Sequence, residues 1–516
     1  MRSKSLPPVL AALTLSVAAA LACSRQVSPD ESLAGRVTPL DATQQAAATA
    51  GTPLAQIFET PTPAPTLLVR GSPTPDPTRA YQAGGVEQVH VVNPGESAAF
   101  IAAEFGVPLA EMLAANAMQE GDLLAIGQEL VIPAVTLPFA PAFKLIPDSE
   151  LVYGPSVVGF DVNATVARFG GYLAGYSEFD DNGVNHTGAE IVQMVAERYS
   201  VNPRLLLAVL EHQSGWLAAP QPPEQTLAYP MGRFEDGREG LLKQLSWAAN
   251  LLNAGFYGWR SEQATTYTLP TGEVLAVAPG MNAGTVGVQR LFGQLQDLPT
   301  WTATLSPGGF DRTYATLFGN PFALTVDPLI PSGLDAPLLE WPWLPGETWY
   351  FTGGPHGGWD AGSAWAALDF GPPEDQLGCT PSQAWVRAAA AGRIVRSAEG
   401  AVLQDLDGDG FEQTGWTLFY MHVDSDGRVP VGVELGVGDP IGHASCEGGF
   451  SNATHLHFAR KYNGVWIAAD DSTLTMQLGG WSTVSAGSEY DGWLARNNVS
   501  LEACDCRDVV NAIPTR

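Results

Sequence analysis

Basic residues are scarce in this sequence: 25 lysines and arginines stand against 54 aspartates and glutamates in a chain of 516 residues. Nucleic acids and anionic membrane surfaces attract proteins through positive charge, so the composition argues against both as partners. Cysteine is also rare, with five residues. The apolar run over residues 9–22 is too short to cross a membrane comfortably. The length predicts about three domains.

The first 23 residues have the form of a secretory signal. A basic start and the apolar run precede Cys23. The stretch Ala20-Leu21-Ala22-Cys23 resembles a bacterial lipobox, which implies lipidation of Cys23 and a protein anchored outside the cytoplasm, facing the cell wall. Ala20 stands where that motif usually has leucine, so ordinary cleavage and secretion is the alternative.

Residues 24–85 are predicted to be a linker. They contain nine prolines among threonine, alanine and serine, with no sustained apolar period. Such a segment cannot bury a core, and proline stiffens it toward polyproline II. The linker would hold the later domains away from a membrane.

The four remaining cysteines are Cys379, Cys446, Cys504 and Cys506. Export favours disulfides, and four cysteines allow three pairings. A link between Cys504 and Cys506 would close a very small ring. We therefore expect the C-terminal cysteines to pair with the loops that hold Cys379 and Cys446.

Residues 86–134 follow a strand, helix, helix, strand pattern. The first strand leads into the turn Asn93-Pro94-Gly95-Glu96, and the last segment reads Ile126-Gly127-Gln128-Glu129-Leu130-Val131-Ile132-Pro133. Together with Asn116, these segments resemble a LysM domain. The resemblance implies a small βααβ fold that binds N-acetylglucosamine-containing glycans such as peptidoglycan.

Residues 151–330 are predicted to form a mostly helical domain. Its clearest signals are an apolar period over 189–199 and the following stretch Ser200-Val201-Asn202-Pro203, in which a polar residue can cap the next helix and Pro203 can begin it.

That next helix resembles the catalytic helix of lytic transglycosylases and related lysozyme-like enzymes. Gln213 stands where those enzymes have their catalytic acid, and an amide cannot donate the required proton. Glu211 lies ~200° away around the helix. We therefore expect a degenerate lysozyme-like domain that binds glycan or acts as a spacer.

Five of the eight histidines lie between positions 356 and 457. Short strand-like segments alternate there with glycine and aspartate turns, which predicts an all-β domain over 345–516. Alternate residues of a strand share a face, so His455 and His457 are expected to point the same way, as are Tyr420 and His422. Grouped imidazoles suit a metal site or a proton-transfer pair.

Five segments of this domain follow one another in a recognisable order. They are Gly353-Gly354-Pro355-His356 with Ala367-Leu368-Asp369-Phe370, residues 386–394, Tyr420-Met421-His422, Gly438-Asp439-Pro440-Ile441-Gly442, and His455-Leu456-His457-Phe458. In this order they resemble the zinc metalloendopeptidases of the lysostaphin and LytM type. The resemblance implies that His356, Asp369 and His457 bind one catalytic zinc and that His422 and His455 are the catalytic histidines.

The chemistry agrees with those roles. Two imidazoles and one carboxylate leave a coordination position open for water, as in catalytic zinc sites. His455 would accept a proton from that water, and His422 would hydrogen-bond the developing oxyanion or act as an acid.

A second carboxylate competes for the position of the acidic ligand. Asp360 lies four residues after His356, the spacing that many members of this family use. The segment around Asp369 matches the surroundings of the ligand better, and its longer spacing resembles the beta-lytic subgroup. We therefore assign the ligand to Asp369 and place Asp360 in a loop that lines the groove.

An acidic segment lies between the matched motifs. Asp405, Asp407 and Asp409 alternate before a glycine, which resembles the start of a calcium loop, but Trp416 stands where the bidentate glutamate is usual. A calcium site and an acidic hairpin turn both remain open.

The sequence as a whole predicts a multidomain, extracytoplasmic zinc metalloendopeptidase that hydrolyses peptide cross-links of peptidoglycan and is targeted by glycan-binding modules. The alternative is a non-catalytic envelope protein that binds peptidoglycan and activates another hydrolase. The complete set of five polar residues favours the enzyme.

Overall fold

The computed structural model describes residues 87–374 and 378–513. The predicted signal, Cys23 and the predicted linker lie outside the described residues. Within the described part, no single helix is long and apolar enough to cross a membrane. The helices α1 and α2, defined below, have the required length and composition only when they are taken together, and a bend of 110° separates them.

The LysM-like segment has the expected βααβ order. Its elements are β1 Gln88–Val91, α1 Ala98–Glu104, α2 Leu109–Ala115 and β2 Glu129–Ile132. The two strands pair antiparallel, and the side chain of Asn116 hydrogen-bonds both backbone groups of Val131. Asn116 therefore ties the end of α2 to β2, which explains its place in the pattern.

The middle region is mainly helical, as predicted. Its helices are α3 Val162–Phe169, α4 Gly188–Tyr199, α5 Pro203–Ser214, α6 Leu241–Arg260, α7 Ala283–Gly293, α8 Leu298–Thr304 and α9 Phe310–Phe318. Two hairpins accompany them, β3 Ser177–Phe179 with β4 Asn185–Thr187, and β5 Thr266–Thr268 with β6 Val274–Ala276.

The two helices predicted from sequence begin with side-chain caps. Thr187 and Glu190 form a reciprocal capping box at the start of α4. Asn202 accepts a hydrogen bond from the backbone N–H of Arg204, and Pro203 occupies the first turn of α5. These caps satisfy backbone donors that would otherwise be unpaired.

A large antiparallel sheet forms the centre of the C-terminal region. Its strands are β7 Tyr350–His356, β8 Ala367–Gly371, β10 Gly392–Ala398, β11 Ala401–Asp405, β12 Trp416–Met421, β13 Glu434–Leu435, β15 Leu456–Tyr462 and β16 Val465–Trp466. The order is β13-β10-β11-β12-β15-β8-β7, with β16 paired to β15. The strands β9 Trp385–Arg387 and β14 Pro440–His443 form a separate pair.

A second sheet follows, beyond the segments that were matched from sequence. It is a four-stranded meander of β17 Gln477–Leu478, β18 Trp481–Ser485, β19 Gly492–Arg496 and β20 Val499–Glu502.

The central sheet is buried on both faces. Leu456 and Phe458 of β15 pack into a core that also contains Trp481 and Leu494 of the second sheet. Ala459 packs on the opposite face, into a core continuous with the helical region. His457 shares the face of Ala459, so the face that carries the histidines is also the face that contacts the helices.

The cysteine pairing differs from the expectation. Disulfides join Cys379 to Cys446 and Cys504 to Cys506, with Cα separations of 5.4 and 5.1 Å, which are ordinary for disulfides. The backbone bend between Cys504 and Cys506 brings the two close, which ring size alone did not anticipate. The C-terminal segment is held by hydrogen bonds to the carbonyl of Phe351 instead.

Candidate metal centre

Three side chains from neighbouring strands meet at one end of the central sheet. His356 ends β7, Asp369 lies in β8 and His457 lies in β15, where it pairs directly with Asp369. The distances are 3.0 Å from His356 Nε2 to His457 Nδ1, 3.4 Å from His356 Nε2 to Asp369 Oδ1, and 3.2 Å from His457 Nδ1 to Asp369 Oδ1. A tetrahedral zinc with bonds of about 2.0–2.1 Å separates its ligand atoms by about 3.3 Å.

The backbone fixes which nitrogen of each histidine faces the cluster. His356 Nδ1 donates to the carbonyl of Gly354 at 2.8 Å, and His457 Nε2 donates to the carbonyl of Gly358 at 3.1 Å. The protons are therefore on the outer nitrogens, and the inner nitrogens carry free lone pairs. Outer hydrogen bonds of this kind orient metal-binding histidines.

The oxygen of Asp369 that faces these nitrogens has no hydrogen-bond donor, although it is buried. Burying a carboxylate oxygen that accepts no hydrogen bond costs folding free energy unless a cation binds it. Burial opposes ionisation of Asp369, but positive charge on His356 and His455, when those rings are protonated, outweighs burial and holds the pKa of the carboxyl well below its ordinary value. A cation between the ligands would supply positive charge at the same place. The donor set, spacing and unsatisfied oxygen fit one zinc ion.

The two predicted catalytic histidines lie beside this cluster. His455 Nε2 is 3.6 Å from Asp369 Oδ1, and the rings of His455 and His422 are 4.5 Å apart. The Nδ1 atoms of both rings donate to backbone carbonyls, that of His455 to Ala453 and that of His422 to Glu447. Each ring is therefore left with an unprotonated Nε2.

The expectation that Tyr420 and His422 share a strand face is wrong. Strand β12 ends at Met421, and His422 adopts a left-handed backbone with φ of 65°. This turn brings its ring to His455, whereas Tyr420 points into the opposite core and hydrogen-bonds Gln404 and the N–H of Ala389. Burial, followed by the nearby His455 and His457, lowers the pKa of His422 to about 3.

The cluster opens into a groove of about 1320 Å³. Asp360 lines this groove, as expected, and its carboxylate accepts hydrogen bonds from the Tyr199 hydroxyl and from the N–H of Ala361. His443 lies away from the cluster, with its ring tilted by 45° against Trp385 at a centroid distance of 4.1 Å.

Sequence reasoning missed Tyr490, which stacks on the His356 ring at a centroid distance of 4.2 Å. It belongs to the turn between β18 and β19, beyond the matched segments. A lone tyrosine in an unmatched hairpin gave no signal that could have identified it.

The acidic segment forms a second group of potential ligands. Atoms of Asp405, Asp407 and Asp409 lie within 4.8 Å of one another. The carboxylate of Asp405 accepts hydrogen bonds from the backbone N–H groups of Asp407, Gly408 and Gly410, which closes the turn. A calcium ion here stays a prediction.

Neither residue of the supposed glycosidase motif is free. Glu211 accepts hydrogen bonds from the backbone N–H groups of Leu217 and Ala218 at 2.9 and 3.0 Å, and Gln213 donates to the carbonyl of Met231. Both side chains brace the loop after α5. The lysozyme-like relationship of this region stays a prediction.

Comparison with known families matches two regions of the chain. Residues 90–133 match the LysM domain, and residues 144–330 match the family described as LasA, N-terminal domain. The chain is 27% identical over 361 residues to Protease LasA of Pseudomonas aeruginosa, which covers 66% of this chain and 77% of that protein.

Solved structures with some similarity include an M23 metalloprotease, pseudoalterin, with 24% identity, a TM-score of 0.27, and coverage of 32% of this chain and 94% of that one. The catalytic domain of lysostaphin from Staphylococcus simulans has 23% identity, a TM-score of 0.16, and coverage of 23% and 87%.

Proposed function

We propose that this chain, which joins a LysM domain to a LytM-type peptidase domain, is a zinc metalloendopeptidase that hydrolyses peptide cross-links of bacterial peptidoglycan. The observation that carries the proposal is the buried Oδ1 of Asp369, which lacks a donor and faces the unprotonated nitrogens of His356 and His457. The similarity to a protease over 361 residues supports the same chemistry.

In this proposal His356, Asp369 and His457 hold the zinc. When bound there, zinc supplies an activated water near neutral pH and polarises the carbonyl of the scissile peptide. Gly354 and Gly358 keep the ligand nitrogens free of protons by accepting from the opposite side of each ring. The chain thus presents three side-chain atoms with free lone pairs that can bind the zinc.

His455 and His422 handle the proton. Each has its Nδ1 hydrogen-bonded to a carbonyl, so Nε2 is the ring atom that is free to react. His455 is the proton acceptor, because the pKa of His422 is lowered to about 3. Once His455 has accepted the proton, it can donate that proton from Nε2 to the leaving amine. His422 was expected to hydrogen-bond the developing oxyanion or act as an acid, and either role requires a proton on its Nε2, whereas the contact with Glu447 uses Nδ1 as the donor.

The remaining regions would deliver this site to its substrate. The LysM domain, within residues 86–134, would bind peptidoglycan glycan, and residues 151–330 would act as a structural or glycan-binding domain beside a peptidase domain of residues 345–516. The extracytoplasmic location follows from this substrate. Lipidation at Cys23 after a signal of residues 1–23, a linker of residues 24–85, and a calcium ion at Asp405, Asp407 and Asp409 remain parts of the proposal that rest on sequence.

Zymography on purified peptidoglycan with parallel metal analysis tests the proposal. Wild type is expected to clear the substrate and to contain one zinc, and His457→Ala to lose both properties. His443→Ala, which removes a histidine outside the cluster, is the matched control and should retain both. Equal clearing by wild type and His457→Ala would refute the proposal.

A further inference from the structure

The loop that follows β7 connects the metal centre to the helical region. We call residues 357–363 the groove loop. Its Gly362 N–H donates to the side-chain Oδ1 of Asn250 in α6 at 2.7 Å, and its Asp360 carboxylate accepts from the hydroxyl of Tyr199 at the end of α4 at 3.2 Å. Two helices of another domain therefore hold a loop that lines the groove.

The contact between the groove loop and its surroundings leaves no spare room. A Cβ atom added at Gly362 would lie 2.1 Å from the backbone oxygen of Asn250, and one added at Gly358 would lie 2.6 Å from the Trp466 ring. Separations below 3.0 Å require something to move. The loop is therefore seated against both domains through glycine positions.

The groove loop in turn holds a predicted zinc ligand. The carbonyl of Gly358 accepts the Nε2–H of His457 and so determines which nitrogen of that ring faces Asp369. A shift of the loop would change the orientation of His457 without touching any ligand directly. Partners of this kind, one step from a metal, typically change metal affinity or activity by about 10–100-fold.

The helical region is fixed relative to the sheet that carries the ligands. One continuous core includes Phe256 of α6 together with Phe419 of β12 and Ala459 of β15. The hydroxyl of Tyr257 accepts a hydrogen bond from the backbone N–H of Trp466 at 3.0 Å. Tyr199 and Asn250 are therefore held at fixed positions relative to the sheet that carries the predicted zinc ligands.

We propose that the helical region positions the metal centre of the peptidase through the groove loop, with Tyr199 and Asn250 as positioning residues. The proposal rests on the proposed function, because it takes His457 as a zinc ligand. It assigns residues 151–330 a direct part in the peptidase site, in addition to any glycan binding.

The test measures zinc dissociation from the full-length protein in the presence of a chelator. Asn250→Ala removes the acceptor of the Gly362 N–H, and Gly362→Ala displaces the loop from the other side. Each is expected to release zinc ~10-fold faster than wild type and to lower kcat more than it raises KM. Tyr199→Phe, which deletes one hydroxyl, should act in the same direction with a smaller effect.

Tyr153→Phe is the matched control. Its hydroxyl is also buried in the helical region but accepts from Gln193 of α4 and does not contact the groove loop. It should release zinc at the wild-type rate. Hydrogen exchange at the Gly362 amide should accelerate in Asn250→Ala and stay unchanged in Tyr153→Phe, which reports the loop independently of activity.

The outcomes separate this proposal from the proposed function. Zinc release within twofold of wild type in both Asn250→Ala and Gly362→Ala would overturn the positioning role, whatever the activity. A wild-type protein that binds zinc but cleaves no peptidoglycan would overturn the proposed function, and the zinc-release comparison would still decide the positioning role. A wild-type protein that binds no zinc would overturn both.

Discussion

Two groups of side chains in the described part of the C-terminal region place three potential metal ligands within 4.8 Å. They differ in what their oxygen atoms already contact. Asp405 is fully buried, and its oxygens accept three backbone N–H groups of its own turn. Asp369 is also buried, but its inner oxygen accepts none.

The difference shows that the Asp405 carboxylate stabilises the backbone of its turn, whereas the inner oxygen of Asp369 is available to bind a ligand. Backbone donors offset the cost of burying Asp405, so this carboxylate is hydrogen-bonded whether or not an ion is present. Asp369 has only imidazole nitrogens around Oδ1, and their protons are committed to carbonyls on the far side. Glu211 behaves like Asp405, since it too accepts backbone N–H groups.

The largest effect is expected at the unsatisfied carboxylate. Asp369→Asn should abolish stoichiometric zinc binding and lower hydrolysis by at least about 10³-fold, because an amide is a poor ligand for zinc and the activated water is lost. Metal content and a peptide-release assay measure both. Asp360→Asn, in the same groove, should keep its zinc; the opposite pattern would reassign the acidic ligand.

The histidines beside the cluster should separate catalysis from metal binding. His455→Ala and His422→Ala are each expected to keep one zinc while kcat falls by about 10²–10⁴-fold, since the first removes the proton acceptor and the second removes the imidazole expected at the oxyanion. Metal analysis combined with kcat measurement checks this. Loss of zinc from His455→Ala would mean that its nitrogen, 3.6 Å from Asp369, is a ligand instead.

A substitution at Asp405 should lower the stability of the protein and leave its activity unchanged. Asp405→Ala leaves three backbone donors of the turn without their acceptor and is expected to lower the free energy of unfolding by about 1–3 kcal/mol. Urea unfolding measures the loss, with zinc content and kcat of the folded protein unchanged. If the loss occurs only when calcium is present, the cluster is a calcium site.

The smallest effect concerns pH. Burial, then the hydrogen bond and negative charge of Asp405, raise the pKa of Asp407 to about 7. Its ordinary value is about 3.9, so the folded state loses stability as pH rises between these two values. Without calcium, Asp407→Asn should leave the Tm nearly unchanged at about pH 4 and raise it only slightly at about pH 8, because solvent screens this exposed side chain. An equal rise at both pH values would contradict the shift.

Much of the architecture was predictable because it depends on local signals. The capped start of α5 at Asn202 and the turn before α1 depend on residues that are close together in the sequence. The βααβ pattern was predicted from the apolar periods of its own segment. The sequence also predicted the three residues that the structure brings together as the candidate metal centre, because each stands in a short motif. His455 and His457 point to one site since alternate residues of a strand share a face.

Contacts between distant segments decided the rest. His422 reaches the site through a left-handed backbone and not through strand alternation, and the bend at Cys504 allows a disulfide that ring size argued against. Tyr490 stacks on His356 from an unmatched hairpin.

The amino-acid sequence by itself determined which residues can bind a metal and accept a proton, because chemistry belongs to the side chain. Only the tertiary structure decided which nitrogen each histidine presents, since that depends on carbonyls such as Gly358, and which carboxylate oxygen is left without a donor. It also brought Asn250 to the groove loop, across more than a hundred residues of chain, because the helices and the sheet share one core.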